Sequence, residues 1–503
     1  MKYTATIFFS FFLLNITFAQ DTKIPAADLE KSFVEGHMRF LASDELQGRR
    51  TGEPGNRIAA RYLAAQLEAY GVKQVEGAKG YMQPVGLRQT KPITKATLAW
   101  QEHIYNQKTE LMMLAGSAED LEAEVTFVSY GWIDEEAGRN DYKGKDVKGK
   151  IVVTNIGTPD NNQPMAVIQS MSKKRKWAKE QGAIGMIELF QLGRNYWNMV
   201  GNYFARPRIQ LVDPEEQGND FIYGWILEGD TGFGVAAKEK KKQKVKLNMM
   251  ASNSEMLNSS NVIGVIEGSD EKLKEEYVIL TAHYDHVGTG KNGGGAFTEK
   301  DSIFNGARDN AFGTVALLSA AKTLAANPTK RSVIILAVTG EELGLLGSRY
   351  YSENPLIPLE KTIYNFNTDG AGYNTKDRVS IIGLGRTGVD GELEKAASAF
   401  GLKVGGDPAP EQGLFDRSDN VSFASKGVPA LNFAPGMTVF DAAIMKYYHQ
   451  VADNPETIDF DYLLKYCQSF THAAQLIANR AERPFWVADD KYEEVGKKLY
   501  NKE

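Results

Sequence analysis

Between residues 277 and 435 the chain repeats short runs that are apolar at nearly every position, with a helical stretch or an acidic cluster between them. Tyr277-Val-Ile-Leu-Thr-Ala282, Ser332-Val-Ile-Ile-Leu-Ala-Val-Thr339, Ile363-Tyr-Asn-Phe-Asn367, Val379-Ser-Ile-Ile382 and Ala430-Leu-Asn-Phe433 are such runs. A strand with one wet face alternates apolar and polar residues; a run without alternation must be buried on both faces. Residues 311–326 carry apolar side chains at 312, 315, 316 and 320, a helical spacing, and a last helix is expected over 456–480. The expected fold class is therefore α/β: a mostly parallel sheet covered by helices on both faces, filling residues 258–480.

Two other textures precede this region. Residues 28–70 read as helical, with Ile58, Ala59, Tyr62, Leu63, Gln66, Leu67 and Tyr70 on one face and Gly71 as the stop. Residues 95–257 hold short β-like runs, Val125–Ser129, Ile151–Thr154 and Ile184–Ile187, separated by Gly, Asp and Asn turns. The basic run 238–246 is read as a solvated edge. Tyr196-Trp197 and Tyr203-Phe204 are read as domain core rather than a binding wall. The expected division is 1–19 leader, 20–94 helical part, 95–257 β-rich insert, 258–480 α/β part and 481–503 extension.

Lys2, the apolar run 7–14 and the small residues before Gln20 read as a secretory signal peptide cut after Ala19. The expectation is an exported protein, periplasmic or extracellular, with no stable membrane anchor after cleavage. With 58 basic against 64 acidic residues the formal charge is −6, which argues against a nucleic-acid partner. The single cysteine, Cys467, excludes an internal disulfide and any cysteine-rich zinc module. It shares an apolar face with Leu463 and Phe470 and is expected to be a buried thiol. A metal site would have to draw on six histidines.

In sheets of this kind, functional groups gather beyond the carboxyl ends of the strands. There the sequence has His283 and Asp285, then Asp309, Glu341-Glu342, Asp369 and, further on, His449 with Asp453. Two imidazoles and three carboxylates suit zinc, and one bridging carboxylate would let five residues hold two ions around a shared water. Asp309, at a helix start, is the bridge candidate. Adjacent Glu341 and Glu342 can divide the work, one binding metal and the other acting as general base. His37, His103, His286 and His472 lack a ligand context, although His286 stands near the site. Gly383-Leu-Gly385-Arg-Thr-Gly388 fits a dinucleotide-binding spacing but is read as a turn.

The segments Ala-His283-Tyr-Asp285, Arg-Asp309-Asn, Gly-Glu341-Glu342-Leu, Thr-Asp369-Gly and Tyr-His449-Gln together resemble the co-catalytic dizinc exopeptidases of the bacterial leucyl aminopeptidase type, a family that includes glutamate carboxypeptidase. Ser129-Tyr-Gly131, Asp146-Val-Lys-Gly-Lys-Ile151 and Ala178-Lys-Glu-Gln-Gly-Ala183 resemble a protease-associated domain. The resemblance implies two Zn2+ ions per chain. His283 and Asp369 would hold one, Glu342 and His449 the other, with Asp309 shared. It implies Glu341 as general base, Asp285 supporting His283, Tyr448 stabilising the oxyanion, and a cis bond between Asp309 and Asn310. Arg308 is read as balancing the acidic cluster. The implied substrate is a peptide with a free N-terminus. Three rivals are weighed: a carboxypeptidase for acidic peptides drawing on Arg308, Arg386 or Arg417, a one-zinc glutaminyl cyclase-like enzyme, and a non-catalytic binding protein on the same fold.

Overall fold

The computed structural model describes residues 23–135, 137–212, 221–229, 232–239, 242–251 and 253–501. The expected leader, 1–19, lies outside the described residues. Two large sheets organise the chain. The larger has nine strands in the spatial order Arg208–Leu211, Met82–Thr90, Ser254–Ile266, Ser332–Val338, Tyr277–His283, Thr362–Thr368, Ala430–Pro435, Arg378–Ile382 and Lys403–Gly405. The second has eight strands drawn from residues 96–249.

The apolar runs form the centre of the larger sheet. Tyr277–His283 pairs in parallel with Ser332–Val338 on one side and Thr362–Thr368 on the other, and Thr362–Thr368 pairs in parallel with Ala430–Pro435. Both faces are covered. Val278, Leu280 and Ala282 face one core with Val333, Ile335, Phe312 and Phe470, while Ile279 faces another with Ile334, Leu336, Tyr351 and Phe423. Helix Phe312–Ala326 is buried almost all round, which its sequence allows because it carries no charge before Lys322.

The sheet is mixed rather than mostly parallel. Met82–Thr90 runs antiparallel to both Ser254–Ile266 and Arg208–Leu211, Ser254–Ile266 is antiparallel to Ser332–Val338, and Arg378–Ile382 is antiparallel to Ala430–Pro435. The first of these strands contains Pro84 and Gly86 and the second several polar residues, so neither shows an unbroken apolar run. The helical reading of 28–70 also needs correction. It divides into Lys31–Leu41, a short turn Asp44–Arg49 with left-handed Gln47 and Gly48, and Pro54–Ala69, whose proline sits at the helix start.

In the second unit Trp197 and Phe204 are core residues, whereas Tyr196 and Tyr203, on the same helix Gly193–Phe204, are exposed. Of the basic run, residues 240 and 241 lie outside the described residues; Lys242 meets Glu124, Lys244 meets Glu122 and Lys246 meets Asp120 in an exposed ladder. Cys467 is buried, and burial pushes its thiol up to about 12.

Candidate metal centre

Four central elements of the larger sheet end at one acidic cavity of about 90 Å³ lined by His283, Asp309, Glu341, Glu342, Asp369 and His449, among others. His283 is the last residue of its strand, and Asp369 directly follows Thr362–Thr368. Glu341 and Glu342 occupy the turn after Ser332–Val338. Asp309 stands just before helix Phe312–Ala326, and the Asp309–Asn310 peptide bond is cis. Two glycines set these turns. Gly306 has φ +59, and a Cβ there would stand 2.3 Å from the Asp309 carbonyl oxygen. Gly340 has φ +73 immediately before Glu341.

The five expected ligands converge. His283 Nε2 lies 3.1 Å from Asp369 Oδ1 and 3.3 Å from Asp309 Oδ1. His449 Nε2 lies 3.1 Å from Asp309 Oδ2 and 3.1 Å from Glu342 Oε2. Asp309 thus turns one oxygen to each imidazole. Asp369 accepts a 2.5 Å hydrogen bond from Ser418 Oγ through its other oxygen. His449 is held at φ +53, a conformation uncommon for a side-chain-bearing residue. Its loop is clasped by Arg308, whose Nη1 donates to Asp453 and Thr457 and whose guanidinium lies 3.7 Å from the centre of the Tyr447 ring. Arg308 therefore neutralises Asp453 rather than the ligand carboxylates.

Two residues depart from the sequence reading. The Asp285 carboxylate does not bond the His283 ring: Oδ1 is 3.9 Å from Nδ1, which instead faces the Asp285 carbonyl oxygen at 3.2 Å. The carboxylate accepts from Thr51 Oγ1 and from the backbone N–H of Glu341, so it positions the Glu341 turn. His286, judged to lack a ligand context, joins the cluster: it groups with Asp309, Glu342 and His449, its Nδ1 lying 2.7 Å from Glu342 Oε1. Its place three residues after His283, past the same strand end, was the available signal. The other three histidines are structural, His37 between Tyr62 and Tyr70, His103 beside Glu110 and His472 beside Gln475.

The electrostatics ask for cations. Burial opposes charge on His283, yet Asp369, Glu341 and Asp309 raise it well above the usual imidazole range. Burial likewise opposes His449, but Asp309 and Glu342 raise it to about 10. Burial and Asp309 push Glu342 upward, and His286 and His449 overcome them to hold it at about 2. Glu341 is raised well above the usual carboxylate value by burial, against the charge of His283. The 2.7 Å contact of His286 with Glu342 lacks hydrogen-bond alignment, leaving both ring nitrogens and Glu342 Oε1 without a hydrogen-bond partner among the described residues. Buried acids in excess, with nitrogen and oxygen donors brought together, fit divalent cation binding, and imidazole with carboxylate suits zinc.

Elsewhere the decoy resolves. Residues 383–388 form a turn in which Gly385 N–H donates to the Asp390 carboxylate, so the protein supplies its own anion there. Arg386 is paired with Asp490 and stacked on Phe415.

Residues 261–473, which contain every candidate ligand and Glu341, match the family model described as Peptidase family M28. Aminopeptidase YwaD of Bacillus subtilis (strain 168) is 26% identical over 253 residues, covering 50% of this chain and 51% of that protein. A vacuolar membrane protease of Pyrenophora tritici-repentis (strain Pt-1C-BFP) is 28% identical over 209 residues, 38% of this chain and 20% of that protein. The chain thus spans about half the length of the first relative and a fifth of the second. The fold is similar to the solved aminopeptidase from Aneurinibacillus sp. strain AM-1, with TM-score 0.52, 22% identity, and coverage of 92% of this chain and 98% of that one. The sequence similarities support classing the chain as a metallopeptidase, and the structural one shows the fold. They also overturn one expectation: a relative named for the vacuolar membrane contradicts the assignment to the periplasm or the cell exterior. Among the described residues no helix is long and apolar enough to cross a membrane.

Proposed function

We propose that the chain is a zinc-dependent aminopeptidase. The observation that carries this reading is the split engagement of Asp309, one oxygen 3.3 Å from His283 and the other 3.1 Å from His449, as a carboxylate bridging two ions would require. His283 and Asp369 would hold one ion, His449 and Glu342 the other, with His286 standing 2.7 Å from the second oxygen of Glu342. Two zinc ions so held would polarise the scissile carbonyl and lower the pKa of a water between them.

The chain's own groups supply the rest. Glu341 takes the proton of the attacking water and delivers it to the leaving amine; its raised affinity for protons suits both steps. The backbone N–H of Glu341, donated to Asp285, fixes the turn from which it reaches in. Tyr448 lines the cavity and is kept protonated by burial, reinforced by Asp309 and Glu342, so its hydroxyl can donate to the developing oxyanion. The surplus acids favour a substrate with a free α-ammonium. Ile382, Leu414, Met437 and Phe440 give the cavity an apolar wall for the first side chain. The sequence likeness noted for the second unit supports reading it as a protease-associated domain.

The carboxypeptidase alternative keeps one supporting observation. Arg308 and Arg386 are engaged within the protein, but Arg417 lines the cavity without an ion-pair partner among the described residues. The test is a peptide panel, N-acetylated, free and C-amidated, with zinc added or chelated. Cleavage that needs metal and a free amine supports the aminopeptidase. Cleavage blocked only by C-amidation supports the rival. Metal content read alongside separates two ions per chain from the single ion of a cyclase-like enzyme.

A further inference from the structure

The second unit contains a cavity of about 450 Å³ beneath helix Gly193–Phe204, far larger than the acidic hollow at about 90 Å³. Its wall is apolar on one side, with Ile93, Met112, Met113, Trp197 and Phe204. Its charged groups are Lys108 at the rim and Arg208. Arg208 also lines an adjoining cavity of about 160 Å³ together with Arg88 and Arg175. Among the described residues neither lining contains an aspartate or a glutamate.

Arg208 is the feature without an internal explanation. Its guanidinium lies 4.6 Å from the centre of the Phe204 ring, and it makes no ion pair or side-chain hydrogen bond among the described residues. Arg88 and Lys108 likewise have no acidic partner among them. Burial holds the Arg208 charge below its usual stability, and the neighbouring charge of Arg175 adds to that effect. A half-buried guanidinium costs free energy unless something anionic meets it. A guanidinium resting over an aromatic ring can still offer its flat fork of donors to a ligand. A planar carboxylate matches that fork with two parallel hydrogen bonds. The apolar wall beside it accommodates a side chain of the size of leucine or phenylalanine.

We infer that this cleft binds a carboxylate attached to an apolar body, with Arg208 as the carboxylate's partner. Two molecules share that chemistry: a free apolar α-amino acid and the C-terminal residue of a peptide. The site lies apart from the acidic hollow, shares no lining residue with it, and stands whether or not the chain hydrolyses peptides.

Calorimetric titration of the full chain in chelator, which removes hydrolysis from the readout, tests this. N-acetylphenylalanine imitates a peptide C-terminus, phenylalanine the free amino acid; N-acetylphenylalanine amide and inorganic phosphate are the controls. At least one of the two acids should bind at one site per chain, and the tighter of the two identifies the source. The amide and phosphate should bind at least tenfold more weakly. Arg208→Gln should weaken the acid at least tenfold, and Asn198→Asp, an exposed wall position that leaves the guanidinium intact, should weaken it in the same direction. Arg417→Gln, in the acidic hollow, should leave binding unchanged. Equal binding of acid and amide, phosphate binding as tight as the acids, or full affinity in both cleft variants would overturn the inference.

Discussion

Each sheet buries charge, and the two do so differently. In the second unit Lys174 and Glu188 form a fully buried ion pair in which every oxygen is used. Lys174 Nζ also donates to the carbonyls of Asn155 and Gly157, while Glu188 receives Tyr223 Oη at 2.7 Å and Trp225 Nε1 at 3.0 Å. At the end of the larger sheet, four carboxylates and three imidazoles cluster, and several of their atoms lack aligned partners among the described residues. Satisfied buried charge fixes an architecture. Unsatisfied buried charge reserves a place for something else, and such sites concentrate perturbed proton affinities.

The difference can be broken first at the base. Glu341→Gln should lower kcat by about 10³-fold, in the range for loss of a general acid–base. Zinc content by elemental analysis and the urea midpoint should stay as in the parent. Full activity in this variant would remove Glu341 from the role. Second, chelation should abolish peptide cleavage and zinc should restore it; the satisfied pair Lys174–Glu188 should not respond to either treatment.

The reverse experiment is Lys174→Met. Leaving Glu188 buried without its cation should destabilise the fold by about 3–5 kcal/mol in urea denaturation. Activity per folded molecule should be unchanged. Loss of activity without loss of stability would erase the distinction between the two regions.

His37 offers a smaller effect with a definite sign. Burial, helped by Lys322, lowers its pKa from 6.5 to about 4. The unfolded chain then binds more protons than the folded one between those values, so stability is full above pH 6.5 and falls as the pH drops toward 4. The slope is at most about 1.4 kcal/mol per pH unit for this group. His37→Gln should flatten that part of the stability profile. Smallest of all, Lys244→Ala should leave the urea midpoint unmoved, since its pair with Glu122 lies in water.

Much of the site was legible because its residues follow apolar strands. Once Tyr277–His283 and Thr362–Thr368 are read as buried and adjacent, His283 and Asp369 must emerge at the same edge. His286 was only half legible for the opposite reason: its nearness to His283 is plain, but it sits past the strand in irregular chain, where spacing does not fix direction. The role of Asp285 was misjudged because i, i+2 neighbours share a face only while the chain stays extended, and Asp285 lies beyond the end of its strand. The antiparallel half of the larger sheet was hidden by composition. Met82–Thr90 and Ser254–Ile266 carry Pro84, Gly86 and a polar segment 258–261, and the 163 residues between Thr90 and Ser254 disguise two strands that are direct neighbours.

That neighbourhood reaches further. Thr90 and Ser254 face each other as the last matched pair of a nine-residue antiparallel ladder, so the second unit leaves and re-enters the sheet at one point. Its whole length is slung from a gap that two residues of a tight hairpin could close. Apart from the edge strand Arg208–Leu211, nothing in the pairing of the larger sheet depends on what hangs there. The appendage is therefore tradeable: a lineage could lengthen, replace or discard it while the metal-facing strand ends kept their register.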